Sequence, residues 1–224
     1  MKGKLIVFEG TDGSGKATQT RMMAQRLQRE GVTFREIDFP RYGNPFAEPA
    51  RLYLQGVLGD QPGDVSAYAA SVLYAVDRYA SYKEDWGSAY ESGELILANR
   101  YTTSNAVHQA SKLDTQEREQ FLQWLFEFEY GRLELPEPDL VIYLDLPNEL
   151  SERMMRQREA ATGKHADIHE RDQAYLRRCR ENAGKVVDYC HWQRIDCSRN
   201  GEIRSIEEIH NEAWELVRKL LETK

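Results

Sequence analysis

LIVFEGTDGSGKAT, residues Leu5 to Thr18, is an apolar run of four that passes straight into a glycine loop. Gly10, Gly15 and Lys16 fit the spacing G-x-x-x-x-G-K-[ST], but Ala17 stands where a hydroxyl follows the lysine. A strand leading into such a loop, and the loop into a helix, is the setting in which the pattern has a mechanism. Backbone N–H groups and the helix N-terminus converge on phosphate while the lysine reaches the outer phosphate oxygens. The segment Gly10, Thr11, Asp12, Gly13, Ser14, Gly15, Lys16, Ala17 and Thr18 therefore reads as a phosphate cradle for ATP. Ala17 removes the usual hydroxyl ligand of magnesium. Thr18 is the nearest replacement, about 100° further round the helix, and Asp12 or Glu9 with waters would complete an octahedral shell.

Working outward, four further apolar runs read as buried strands: 32–39, 95–98, 140–146 and 192–196. Stretches of helical periodicity separate them, so the order is βαβα and the expected fold is α/β, a five-stranded parallel sheet with helices on both faces. Helices are expected over about 15–30, with Gly31 as the stop, and over 45–58, 102–112 and 115–132. A long one is expected over 65–91, capped by Asp64 or Ser66 and ended near Gly93. A helix from Asn148 has a poor apolar stripe and leads into ATGKHAD, so it reads as an exposed flap. The tail 204–223 repeats apolar residues at helical spacing and reads as core packing.

The 224 residues suit one domain. With 41% hydrophobic and 30% charged residues the chain is not disordered in character, and a net charge of −7 disfavours long nucleic acid as partner. Cys179, Cys190 and Cys197 are odd in number with no C-x-x-C spacing, which disfavours a disulfide framework or a zinc site. No run is long enough to be a signal peptide or to span a bilayer, and a cytoplasmic setting is expected.

The strand ends carry a second set of groups. DFPRYGNP delivers Phe39, Arg41 and Tyr42, and ANRYTTSN delivers Arg100 and Asn105, to the carboxyl edge where ligands of open α/β folds sit. LYAVDRY puts Tyr74 and Arg78 at i and i+4, on one helix face. Three arginines, an aromatic plane and an amide beside a phosphate loop point to a nucleotide site.

These motifs, FEGTDGSGK, FPRYG, LYAVDR, NRYTTSNAVHQ, LPEPDLVIYLDL and DIHERD, resemble in order and spacing those of the thymidylate kinases, P-loop nucleoside monophosphate kinases. The resemblance implies transfer of the γ-phosphoryl group of ATP to dTMP with Mg2+, in a homodimer, by the P-loop nucleoside monophosphate kinase fold with a short lid at about 153–168. Asp12 would lie between donor and acceptor near magnesium, and Lys16 would hold ATP. Arg41 and Arg100 would bind the acceptor phosphate, Tyr74 would stack on thymine, and Arg78 and Asn105 would read the base. Arg153, Arg156, Arg158 and Lys164 are the lid candidates, with Arg156 placed in the catalytic set, and Asp167 and Glu170 match the acidic segment after the lid.

Three positions depart from the family pattern. Asn99 stands where Asp is frequent, Ala17 lacks the hydroxyl, and His108 stands where Tyr or Phe approaches the sugar. A kinase for dUMP or UMP, or a nucleotide-binding regulatory protein, are the alternatives that these departures leave open.

Overall fold

Strand β1 (Leu5–Glu9) is buried along its whole length, and its alternation explains the layers. Ile6 and Phe8 face one side, where they pack with Leu95, Leu97, Ile142 and Leu144, and Leu5 and Val7 face the other with Ile96, Ala98 and Val141. A strand apolar on both faces must be covered twice, because each fully buried Leu, Ile, Val or Phe is worth about 1.5–3 kcal/mol. The computed structural model describes residues 2–162 and 167–222, less the side chains at 158, 159, 161 and 162.

Helix α1 (Lys16–Arg29) follows β1 and leads to β2 (Phe34–Asp38). A 3-10 turn, Pro45–Ala47, runs into α2 (Glu48–Leu54). Then come α3 (Ala67–Ser81), a π-helical turn (Tyr82–Trp86) and α4 (Gly87–Glu91), followed by β3 (Leu95–Asn99). The expected helix 65–91 is thus one rod with a wide turn in it. Its cap is Ser66, whose hydroxyl accepts from the Ala69 amide, whereas Asp64 closes a separate turn at Gln61. The expected helix 45–58 is shorter, with Gly56 in a left-handed conformation beyond its end.

Helix α5 (Thr102–His108), α6 (Thr115–Phe126) with a π-helical continuation (Glu127–Arg132), and β4 (Leu140–Asp145) follow. Helix α7 (Asn148–Thr162), α8 (Ile168–Arg171), α9 (Gln173–Tyr189) and β5 (Gln193–Asp196) complete the large sheet. A small hairpin, β6 (Ser198–Arg199) and β7 (Glu202–Ile203), precedes α10 (Ile206–Glu222).

The sheet order is β2-β3-β1-β4-β5 with every pairing parallel, the expected fold. Helices α1 and α10 cover one face through Met23, Leu27, Ile209, Ala213 and Val217, so the tail is core packing as read. The other face is covered by Trp86 and Tyr90, and by Val107, Ala183 and Val187 from α5 and α9.

The chain leaves β1 towards β2 and leaves β3 towards β4, in opposite directions from adjacent strands. A crevice opens at their carboxyl edge, the place where open α/β sheets bind ligands. Residues 148–162 form a helix whose inner side is not exposed: Leu150 packs into the core, and Ser151 and Met155 are buried beside the phosphate loop at Gly13. That corrects the flap reading for the first half of α7. Residues 163–166, with Lys164, lie outside the described residues, as does the side chain of Arg158.

Candidate active site

The phosphate loop is built as its glycines require. Gly13 (φ +82°) and Gly15 (φ +93°) occupy the left-handed region, and a Cβ at Gly13 would meet the Ser151 carbonyl oxygen at 2.6 Å. Lys16 is buried and donates to the carbonyls of Gly10 (2.7 Å) and Thr11 (3.0 Å), with its ammonium 3.8 Å from Asp12. The Ser151 hydroxyl donates to the Asp12 carbonyl at 2.7 Å, which ties α7 to the loop. Arg180 of α9 ties it from another side, donating to the Thr11 hydroxyl at 2.8 Å. Ser14 Oγ is buried with no hydrogen-bond partner among the described residues, a polar atom inside the cradle left for a ligand.

Asp12 is bonded to the Arg100 guanidinium. Burial would raise its carboxyl, but Arg100 and Lys16 prevail and hold it well below the usual carboxylate range. Arg100 itself sits at φ +66°, a strain of about 1–3 kcal/mol of the kind found where a side chain is forced into a site. Its NH1 lies 3.4 Å from His108 Nε2. Burial lowers the His108 imidazole to about 4 against the pull of Asp12, so the ring is neutral. Nε2 then accepts from the guanidinium and Nδ1 carries the proton, and among the described residues Nδ1 has no partner.

Beside this pair lies a cavity of about 1050 Å3. Its walls include Asp12, Phe39, Tyr42, Tyr74, Arg78, Arg100, Asn105, His108, Asp167 and Glu170, so ten of the expected acceptor-side residues converge there. Asp167 caps α8 by accepting from the amides of His169 (2.8 Å) and Glu170 (2.9 Å). Burial raises its carboxyl to about 6, with those amides opposing.

Arg41 is not among the cavity walls. Its Nε donates to Asp77 at 2.8 Å and its backbone amide to the other Asp77 oxygen, because that carboxylate is almost wholly buried and requires a cation. Glu9 is likewise turned aside: fully buried, it accepts from Thr103 (2.7 Å), Ser104 (2.6 Å) and the Gly10 amide (2.9 Å). Thr18 is half-buried at the start of α1. Arg153 reaches Glu202 at 3.2 Å, and Arg156 is exposed with Glu152 3.9 Å away, so neither touches the loop in this conformation.

Several residues at the site were not singled out in the sequence reading. His169 stacks on His108 (centroids 6.1 Å apart, 13° between planes) and bonds the Tyr53 hydroxyl at 2.8 Å. Arg51 and Arg171 line the cavity, and Asp38 stands there, accepting from Asn99 Nδ2 at 3.0 Å. Asp38 and Asn99 are register partners on β2 and β3, so a carboxylate stands one strand away from the amide. Glu129 holds Arg78. DIHERD contains His169 and Arg171 and DFPRYGNP opens on Asp38, but only the strand register sets Asp38 opposite Asn99.

The comparisons agree with this geometry. The family model described as thymidylate kinase matches residues 8–212. The thymidylate kinase of Mycobacterium tuberculosis is 32% identical over 170 residues, covering 75% of this chain and 78% of that protein. That of Halothermothrix orenii is 29% identical over 224 residues, covering 99% of each. Among solved structures, thymidylate kinase from Candida albicans superposes with a TM-score of 0.70 at 19% identity, over 97% of this chain and 92% of that one. A strand-to-helix phosphate loop, an acceptor cavity beside it and a family match spanning nearly the whole sequence lead to one conclusion: the chain belongs to the thymidylate kinase family.

Proposed function

We propose that this chain transfers the γ-phosphoryl group of ATP to dTMP, giving dTDP and ADP. The observation that carries the reading is the cavity walled by Asp12, Tyr74, Arg78, Arg100, Asn105 and His108 beside the phosphate loop. A phosphate oxygen of dTMP attacks Pγ as the bond from Pγ to the β–γ bridging oxygen breaks, and the electron pair leaves on ADP. The attacking monoester has a second pKa near 6 and is mostly dianionic at neutral pH, so no general base is needed. What the protein supplies is alignment of two polyanions and compensation of their charge. Lys16 and the loop amides hold the ATP phosphates. Arg100, steadied by Asp12, faces the acceptor phosphate.

Tyr74 stacks on the base, and Arg78, which only donates, faces the carbonyl at the 4-position. Asn105 complements the ring N3–H, and the neutral His108 offers its Nδ1–H to the sugar. A lid at about 153–168 carries Arg153, Arg156, Arg158 and Lys164 and excludes water when closed.

The ATP bound here would carry magnesium. The Ser14 hydroxyl and the Asp12 carboxylate are oxygen donors of the kind this hard cation takes, and among the described residues no group of three or more His, Cys, Asp or Glu could hold a metal ion. Asp12, Thr18 and waters would hold it, with Glu9 committed elsewhere, and it would offset charge on the phosphates. The three cysteines are free thiols, in keeping with a cytoplasmic setting. A homodimer is supported by α3, where Tyr68, Val72, Val76 and Tyr79 form an exposed apolar stripe.

The test is ADP release with ATP, Mg2+ and each of dTMP, dUMP, UMP, dCMP, dGMP and AMP. The highest kcat/KM is expected for dTMP; ATP binding with no turnover on any acceptor would overturn the reading.

A further inference from the structure

Arg78 is 2% exposed and yet forms part of the acceptor cavity wall. A guanidinium in that position needs an anion, and Glu129, fully buried, provides it. Arg78 Nε donates to Glu129 Oε2 at 2.6 Å and NH2 to Oε1 at 2.5 Å, a parallel two-point contact. Thr102, at the start of α5, donates to the same Oε2 at 2.8 Å. Glu129 sits in the π-helical turn 127–132, where it is the one buried side chain among the described residues. Among the described residues the remaining nitrogen, NH1, has no protein partner.

We infer that Glu129 is the positioning residue for base selection: it clamps Arg78 so that a fixed donor edge faces a nucleobase carbonyl. This rests on the proposed dTMP reading. Three physical consequences lead to it. The carboxylate neutralises the guanidinium, so the pair reads a neutral base edge and leaves phosphate to Arg100. The two-point contact removes the rotational freedom of a long side chain, and a donor held in place penalises an amino group far more than a mobile one. Through Thr102 the same carboxylate also fixes the N-terminal turn of α5, which carries Asn105 three residues on. One buried acid thereby holds both base readers in register. The acceptor class it selects is a pyrimidine monophosphate with oxygen at the 4-position, against one with an amine there. Burial disfavours charge on Arg78, and the Glu129 carboxylate overcomes it, so the group stays a cation.

The experiment measures kcat and KM for dTMP, dCMP and ATP on the parent chain, Arg78→Ala, Glu129→Gln and the double variant Arg78→Met/Glu129→Met. The double variant replaces a buried ion pair by apolar side chains of similar volume, a change that folds even where a single truncation does not. Glu129→Gln is expected to raise the KM for dTMP about tenfold, with the loss falling on KM rather than kcat. The preference for dTMP over dCMP should narrow by a similar factor while the KM for ATP holds. The double variant should lose the preference as Arg78→Ala does. If Arg78→Ala and the double variant lose the preference while Glu129→Gln keeps it, the positioning role is overturned and the base reading stands. A uniform fall in kcat/KM for both acceptors with a lowered Tm would mean that Glu129 is structural only, and also overturns it. If Arg78→Ala keeps the preference, the Arg78 reading falls and the inference with it. Absence of dTMP turnover in the parent chain would remove the proposed function itself.

Discussion

Asp12 and Arg100 follow different strands, β1 and β3, and neither is intelligible alone. The carboxylate is held charged by Arg100 and Lys16, and the guanidinium is held in a strained backbone position by its place at the end of β3. Asp12→Ala would leave Arg100 without the anion that aims it, and kcat is expected to fall on the order of 10²-fold with a weakened Mg2+ dependence. Unchanged turnover across a magnesium titration would remove Asp12 from the mechanism. Asp167 carries one part of the pH dependence of stability. Its carboxyl, raised to about 6, binds more protons in the folded chain than in the unfolded one between pH 4 and 6. Its contribution to stability therefore falls as pH rises through that window, by on the order of 2–3 kcal/mol, while His108, lowered to about 4, contributes in the opposite sense because its imidazole binds fewer protons in the folded chain. Between pH 4.5 and 6.5, stability from urea titrations should change more positively with pH in Asp167→Asn than in the parent chain; an identical pH dependence in both proteins would exclude a contribution from Asp167. Tyr74 and Arg78 line the cavity from one face of α3, as their i, i+4 spacing places them, and Asn105 follows the end of β3 on α5; His108 had only the resemblance behind it. Arg41 went to Asp77 instead of the cavity because a buried carboxylate needs a cation, which is invisible until α3 is packed.

Elements whose pattern has one period were legible, and those that mix periods or polarity were not. The strands, α1 and α10 read directly from apolar spacing. Helix α9 did not, because its buried side carries Cys179 and Asn182 between Tyr175, Leu176, Ala183, Val186 and Val187. Asn182 earns its burial by donating to the carbonyls of Ala106 (2.9 Å) and Val107 (2.8 Å) on α5. The π-helical turns after α3 and α6 were read as ordinary helix, and the second of them holds Glu129. Helix α7 read as a flap because only Leu150 and Met155 are apolar on its inner side and Ser151 makes the decisive contact. That contact carries its own prediction. Gly13→Ala adds a Cβ where the Ser151 carbonyl stands and strains a left-handed residue, at about 1–2 kcal/mol before any clash. Urea unfolding should show that loss together with weaker ATP binding by calorimetry. Weaker stability with unaltered ATP affinity would mean that α7 packing does not shape the phosphate loop.

For the whole molecule, α3 joins an exposed surface to the acceptor site. One side presents Tyr68, Val72, Val76 and Tyr79, four large apolar residues about 40% exposed at spacings of four, four and three. The other side carries Tyr74, Asp77 and Arg78 towards the site. This stripe, whose Tyr68 ring also packs on Phe121 and Trp124, is the surface on which the proposed homodimer would form. In a two-fold assembly, α3 would pack against its own copy, with Val72 and Val76 close to the axis. Val72→Glu with Val76→Glu would then bring like charges together on both chains. Light scattering is expected to show a dimer for the parent chain and a monomer for the variant. Because an uncovered α3 is held from one side only, the monomer should show a higher KM for dTMP, about three- to tenfold, while the KM for ATP stays put. A monomeric parent chain would remove the dimer reading. A monomeric variant with both KM values unchanged would mean that the acceptor site is held by the core of one chain, with Glu129, Asp77 and Tyr53 fixing its walls without help from a partner.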